Sequence, residues 1–316
     1  MVADFAADKV NLKRDDVREY RAQIARLRER LKTHVDEHPD YGFVKSRHSG
    51  SVAKGTALSS VNDMDLGVYV LAAEAPDAEA QLLLWMNDRL KEALKPLGLN
   101  DDQFVIQHHC VTISYRGSGL NVDVVPVLYE DEDNDVGYLI AKDTGDRVKT
   151  SVTQHLEFIR TRKNAQHNHF AQVVRLMKWW VRQVKRREPD FRFKSFMVEL
   201  ICAHLADDGL RMSDYPVALE HIFTYIVQSE LRDRIGFTDY YEAGDLPDPT
   251  GAAIELFDPV NPDNNVAARY TTTERDAIVE AAADALDALS EAAYAEGKGR
   301  AVERWQVLLG PTFKGN

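Results

Sequence analysis

Asp63-Met-Asp-Leu-Gly-Val-Tyr-Val70, with Gly50-Ser51 ahead of it and Asn121-Val-Asp-Val-Val-Pro-Val127 behind it, carries most of the structural information in this 316-residue chain. The β-branched and aromatic content of 65–70 predicts a strand. Side chains two apart on a strand share a face, so Asp63 and Asp65 project together, about 6–7 Å apart. Asp123 lies in an equally strand-like run, among Val122, Val124, Val125 and Val127, where a charge has no packing reason. An isolated buried carboxylate is so costly that it neutralises, pairs or binds a metal. Two divalent cations would satisfy all three carboxylates. Ions about 3.5–4 Å apart stabilise both the attacking and the leaving oxygen of an in-line displacement.

Lys45 to Ser49 is polar and basic and reads as a loop, which Gly50-Ser51 closes. The stretch Ser51-Val-Ala-Lys-Gly-Thr56 then offers exposed amides and the Ser51 hydroxyl to a terminal phosphate, as a helix N-terminus does. Lys54 adds positive charge there. The pattern is neither a Walker loop nor a Gly-x-Gly-x-x-Gly fingerprint.

A Gly-Ser turn, an Asp-x-Asp at a strand start and a third Asp on a neighbouring strand, in this order, resemble the signature of the DNA polymerase β-like nucleotidyltransferases. Arg175-Leu-Met-Lys-Trp-Trp180, Phe193-Lys-Ser-Phe-Met-Val-Glu-Leu200 and Asp258-Pro-Val-Asn-Pro-Asp-Asn-Asn-Val266 resemble the helical domain of the oligoadenylate synthases and their relatives. Bacterial cyclic-oligonucleotide synthases, the CD-NTases of CBASS anti-phage systems and cousins of animal cyclic GMP-AMP synthase, combine both in a chain of similar length. The likeness covers most of the sequence. It implies an α+β fold with two lobes and the nucleotide in the cleft. Residues 1–150 would form a polymerase β-like nucleotidyltransferase core, a mixed sheet with helices and a long N-terminal spine helix; residues 151–316 would form an α-helical, oligoadenylate-synthase-like lobe.

The same likeness implies two Mg²⁺ (or Mn²⁺) ions held by Asp63, Asp65 and Asp123, with Asp123 acting as or through a general base on the acceptor ribose hydroxyl. It places a donor triphosphate on Gly50, Ser51, Lys178 and Ser195. NTPs are the implied substrates, ATP among them, and a separate effector protein reads the product. In the family the residue after the serine stacks on the donor base; here it is Phe196, where relatives carry Tyr, so any hydroxyl contact is lost. Phe196 is equally readable as core.

A formal charge of −12 and a pI near 5.3 argue against broad attraction to nucleic acid, which needs Lys and Arg in excess on one surface. There is no apolar run of about 18 residues and no signal peptide, so a cytoplasmic protein without membrane contact is expected. Cys110 and Cys202 give neither a disulfide framework nor a Cys-x-x-Cys zinc signature. The zinc-based DNA clamp of the animal relative therefore has no counterpart, and direct activation by nucleic acid is not expected. A regulatory protein partner is left open.

Val17, Tyr20, Ile24, Leu27, Leu31 and Val35 recur at three and four residues, predicting an amphipathic helix from Arg14 to about His38 that Pro39 ends. Leu82, Leu83, Trp85, Met86, Leu90 and Leu94 mark a helix over Glu79 to Leu97. From His155 onward the pattern is nearly all helix. Thr273 with Asp276 resembles a capping box for the last long helix, which Gly297 would stop. Arg175, Lys178, Arg182 and Lys185 form a basic stripe opposite Val173, Met177, Trp180 and Val184. Such a run is usually a solvated face, and only the family likeness singles out Lys178. Ser195 by itself reads as the cap of a helix from Phe196 to Leu205, and Trp179-Trp180 as core.

Glu130-Asp-Glu-Asp-Asn-Asp135 lacks the Gly and spacing of an EF-hand and reads as a solvated loop. His108-His109-Cys110 and His167-Asn-His169 lack further clustered ligands and read as structural or surface groups. Asn261 to Asn265, with Pro259 and Pro262, reads as a turn after an extended Ile254–Asp258. Three functions stay open: a cyclic di- or trinucleotide synthase, a transferase that makes linear oligonucleotides or attaches one NMP to a small molecule or protein, and a non-catalytic nucleotide sensor. Intact Asp63, Asp65 and Asp123 argue against the sensor. Cyclisation rests on the family likeness and on no residue of this chain.

Overall fold

Met64, Leu66, Val68 and Val70 are buried while Asp63 and Asp65 are not, and the same alternation runs through Val122, Asp123 and Val124. A period of two sends the apolar set to one face of a sheet and the carboxylates to the other. The computed structural model describes residues 1–37, 42–71, 81–129 and 135–315. It pairs seven strands: β1 (Phe43–Ser49), β2 (Asp63–Leu71), β3 (Phe104–Ile106), β4 (Val111–Tyr115), β5 (Leu120–Tyr129), β6 (Val136–Ile140) and β7 (Arg147–Ser151). Their order is β1-β2-β5-β4-β3, with β6 beside β5 and β7 beside β6. The β2–β5 pair is parallel and the others are antiparallel, so the sheet is mixed, as expected. Lys45–Ser49, expected as a loop, belongs to β1. As an edge strand it is paired on one side only, where charged side chains are tolerated.

The chain opens with α1 (Val2–Phe5), continued by one π-helical stretch, Ala6–Val10, and then α2 (Arg14–Glu37), α3 (Gly50–Lys54), α4 (Leu82–Leu94) and α5 (Val152–Ala165). Ile24, Leu27 and Leu31 of α2 and Leu82, Met86, Leu90 and Leu94 of α4 close over Leu66, Val68, Val111, Val122 and Val124. Each such side chain contributes about 1.5–3 kcal/mol when fully buried. That packing holds the register, because a slip of one residue would turn Asp65 and Asp123 into the core.

Contacts divide the chain into Leu12–Glu157, which carries the sheet, and Met1–Asn11 with Phe158–Asn316, which is mainly helical. The first eleven residues therefore leave the core in which a 1–150 division would put them. Phe5 packs edge-on against Trp179 and Phe313, with centroids 5.9 and 5.3 Å apart, and Asn11 and Gln172 exchange amide hydrogen bonds of 2.8 and 3.0 Å.

The helical unit adds α6 (His169–Arg187), α7 (Ser195–Asp207), α8 (Tyr215–Ser229), α9 (Thr272–Ala293) and α10 (Lys298–Leu309). Trp180 sits among Phe191, Phe193 and Phe223, and Trp179 Nε1 donates to Leu309 O at 2.8 Å, so both tryptophans are core. The capping box of α9 is Thr271 with Glu274 and not Thr273 with Asp276. Thr271 N donates to the Glu274 carboxylate at 2.9 Å, and Glu274 N donates to Thr271 Oγ1 at 3.2 Å. In a run of threonines, the one whose partner is long enough to reach back wins. Gly297 stops no helix; at φ +92 it leads into α10. Asn261–Asn265 is the expected turn, closed by Asn265 Nδ2 donating to Ile254 O at 2.8 Å.

His38, Pro39, Glu79 and the segment 130–134 lie outside the described residues. Asp135, the last of the acidic run, is not solvated. It is buried, and Lys45, Arg47 and Thr153 all donate to its carboxylate, Arg47 at 2.6 Å. Burial pushes its pKa up, but these donors prevail and hold it at about 2, below the ordinary 3.8. A carboxylate depressed in the folded state stabilises above its unfolded pKa, and that stability is lost as the pH falls through the folded one. Asp135→Asn is therefore expected to lower the melting temperature at neutral pH. A pH series of melts should show the gap to the parent closing from about pH 4 towards about pH 2.

Candidate active site

Strand register brings the carboxylates together. Asp65 pairs with Asp123 across the parallel β2 and β5, Asp63 pairs with Asn121, and Thr112 and Ser114 of β4 pair with Asp123 and Asn121. Residues in register point to the same side of a sheet, and neighbouring strands lie about 4.7–4.9 Å apart. Asp63, Asp65, Asn121, Asp123, Thr112 and Ser114 thus form one polar field on the face opposite the core. Asp63 is exposed; Asp65 and Asp123 are half-buried.

Ser49 stands opposite Asp65, and from it the chain turns into α3 through Gly50 at φ +68. That left-handed conformation favours glycine. A Cβ on Gly50 would overlap the Asp65 carboxylate and come within 2.9 Å of Asp65 Cβ. The missing side chain is what lets the backbone of the turn lie against the acid. Ser51 follows, half-buried, and Lys54 ends α3, which Gly55 closes at φ +73.

Three further residues complete the field, and Cys110 reports its charge. Thr112 Oγ1 donates to Asp123 Oδ1 at 2.6 Å, Asn121 Nδ2 donates to Asp63 Oδ1 at 3.1 Å, and Ser114 Oγ donates to Asn121 Oδ1 at 2.9 Å. The Cys110 thiol is pushed up to about 12, first by burial and then by the negative charges of Asp123 and Asp65. A thiol so raised stays protonated at neutral pH and is no nucleophile. Sequence reasoning missed these residues. The alternate spacing of Cys110, Thr112 and Ser114, and Asn121 two before Asp123, was the available signal.

Among the described residues, no group of three or more His, Cys, Asp and Glu side chains gathers as a ready-made metal site. The donor chemistry nevertheless suits a hard divalent cation: carboxylate oxygens in register on adjacent strands, with hydroxyl and amide groups beside them. Asp63, Asp65 and Asp123 are the residues that fit. His108 and His109 are engaged elsewhere, with Asp143 at 3.1 Å and Ile140 O at 3.2 Å.

The remaining expected contacts belong to the helical unit. Lys178 is only 6% exposed, and its ammonium donates to Glu199 at 2.6 Å, a residue itself 2% exposed. The triphosphate contact that the family likeness implies for Lys178 thus falls on a side chain that is buried and already paired. The first two-thirds of α6 is buried on most sides, so a cation there requires a counter-charge. Of the basic stripe Lys185 is exposed, as are Arg186 and Arg187 after it, while Arg175 and Arg182 are half-buried. Removing one partner of a buried pair strands the other, at a cost of about 3–5 kcal/mol. Lys178→Met should destabilise on that scale in a denaturant melt, and adding Glu199→Leu should recover much of the loss. Ser195 is exposed as the first residue of α7, Lys194 holding the cap position, and Phe196 is half-buried beside it rather than core.

Acids in register on a parallel strand pair, beside a glycine turn with no room for a side chain, agree with the resemblance to the polymerase β-like nucleotidyltransferases. Residues 2–164 match SMODS, the Second Messenger Oligonucleotide or Dinucleotide Synthetase domain, and the chain belongs to that family. It is 46% identical to the Cyclic AMP-AMP-AMP synthase of Escherichia coli (strain MS 115-1), over 99% of this chain and 97% of that protein. It is 28% identical to the CBASS oligonucleotide cyclase CdnC of Escherichia coli (strain KTE188), over 98% and 95%. The structure of E. coli MS115-1 CdnC with ATP matches with a TM-score of 0.89 at 46% identity, covering 99% and 98%. The CdnC:HORMA-deltaN complex from the same strain matches with 0.89 at 45%, covering 99% and 97%. The chain is therefore an enzyme, a nucleotidyltransferase of the cyclic-oligonucleotide synthase class, and such transferases work with divalent metal ions. Among the described residues no helix is long and apolar enough to cross a membrane.

Proposed function

We propose that this enzyme condenses ATP into a cyclic triadenylate, releasing pyrophosphate, in the cytoplasmic signalling of a CBASS system. The observation that carries this reading is the 46% identity, sustained over 99% of the chain, to a synthase named for that product. Asp63, Asp65 and Asp123 would hold a pair of Mg²⁺ or Mn²⁺ ions. Bound there, the ions supply positive charge to the reacting phosphates and the departing pyrophosphate. The Gly50 turn and the Ser51 hydroxyl approach the triphosphate, and Lys54 adds charge. Asp123 receives or relays the proton of the acceptor hydroxyl, whose oxygen attacks the α-phosphorus as the bond to pyrophosphate breaks. Ser195 and Phe196 are assigned to triphosphate and base, and Lys178 would join them at the triphosphate by giving up its pair with Glu199. The relative's complex with HORMA-deltaN supports a regulatory protein partner of that kind, with the product read by a separate effector.

The test is incubation with each labelled NTP and Mg²⁺ or Mn²⁺, followed by phosphatase and mass measurement. A phosphatase-resistant product of three adenylates, formed from ATP alone, is expected. Label found only in linear or acceptor-linked products would overturn cyclisation.

A further inference from the structure

We infer that β4, which contributes no acid of its own, aims the catalytic carboxylates, and that Thr112 is the positioning residue for Asp123. The inference rests on the assignment of catalysis to Asp63, Asp65 and Asp123. Thr112 stands directly opposite Asp123 in the β4–β5 register, and its hydroxyl donates to Oδ1 at 2.6 Å. That length belongs to a charge-assisted O–H···O⁻ bond. A hydroxyl has one proton to give, and a β-branched side chain holds its χ1 tightly. The Asp123 carboxylate is therefore held through Oδ1.

One step along the same strands the pattern repeats through a relay. Ser114 donates to Asn121 Oδ1 at 2.9 Å, which commits the amide so that Nδ2 faces Asp63 Oδ1 at 3.1 Å. Two of the three acids thus take their orientation from hydroxyls on a strand that carries no carboxylate. Gly50 limits the third from the opposite side. Partners that orient ligand side chains typically cost about 10–100-fold in metal affinity or activity when removed. Asp63 is exposed and Asp123 half-buried, so Thr112 should matter more than Ser114 or Asn121.

A purely structural cross-strand pair would behave otherwise, and Thr112→Val separates the two because it keeps the shape and removes only the hydroxyl. In the full-length protein, kcat is expected to fall on the order of 10–100-fold with the KM for ATP little changed. Mn²⁺ binding, followed by EPR in the presence of a non-hydrolysable ATP analogue, should weaken on the order of 10-fold. Thr112→Ser should restore both, with all three proteins melting within a few degrees of one another. Parental kcat and Mn²⁺ affinity in Thr112→Val would overturn the inference, as would a Thr112→Ser variant no better than Thr112→Val. Asp123→Asn is measured alongside. If it is inactive while Thr112→Val is normal, the positioning role fails and the site assignment stands; if it is active, the assignment itself fails.

Discussion

Asp63→Asn combined with Asp65→Asn is expected to abolish transfer of label from ATP while the melting temperature holds or rises. Asp63 and Asp65 share the face of β2, and Asp65 lies in register with Asp123 one strand away. Like charges directly opposite on neighbouring strands destabilise a sheet. Removing two of them relieves the fold and strips the site of the charge that would hold divalent ions. Their apolar neighbours Met64 and Leu66 stay buried in the core and keep the strand in place. Loss of function with retained or increased stability is the mark of residues kept for chemistry at the expense of stability. Label incorporation and a thermal melt on the same preparation check both halves. Undiminished incorporation would show that the acids on this face do not carry the reaction.

Gly50→Ala is expected to lower activity by about 100-fold or more, since a misplacement of about 1 Å can cost that much. Two independent effects combine in this variant. Its φ of +68 carries a strain of about 1–3 kcal/mol for a residue with a Cβ. The new methyl would also overlap the Asp65 carboxylate. Asp65 belongs to a strand whose alternate residues are buried, so relief must come from the acid rotating or the turn withdrawing. Either movement parts the carboxylate from the backbone beside it. Because the fault is local, a melt should fall by only a few degrees, at roughly 2–4 °C per kcal/mol for a domain of this size. A variant with parental activity would mean that Asp65 does not work from its place against the turn.

The shared polar face of the acids was legible in the residues alone. The period-two alternation of β2 and β5 put Asp63, Asp65 and Asp123 on the polar face, and Gly50-Ser51 stood at the right place ahead of them. What the glycine is for was not legible, because the atom it leaves room for belongs to Asp65, across a strand pair. Thr112 and Asn121 were overlooked for the same kind of reason. Their value lies in which acid stands opposite, which depends on β5 lying between β2 and β4. The burial of Lys178 was not legible, because a basic stripe at helical spacing looks solvated. Nothing near it in the chain announces Glu199, 21 residues on. Asp135 misled likewise, since an acidic run reads as loop until Lys45 and Arg47, about 90 positions earlier, are seen to reach it.

Local chemistry settled, from the order of residues alone, most of the helices, the strands β2 and β5, and the polar face on which Asp63 and Asp65 stand together, because side-chain alternation and helical spacing are properties of a few consecutive residues. Which donor holds which carboxylate, which lysine is buried against a glutamate, and why Gly50 tolerates no side chain were settled only when distant segments packed. Those pairings arise from register and burial between segments tens of residues apart, and no nearest-neighbour pattern encodes them.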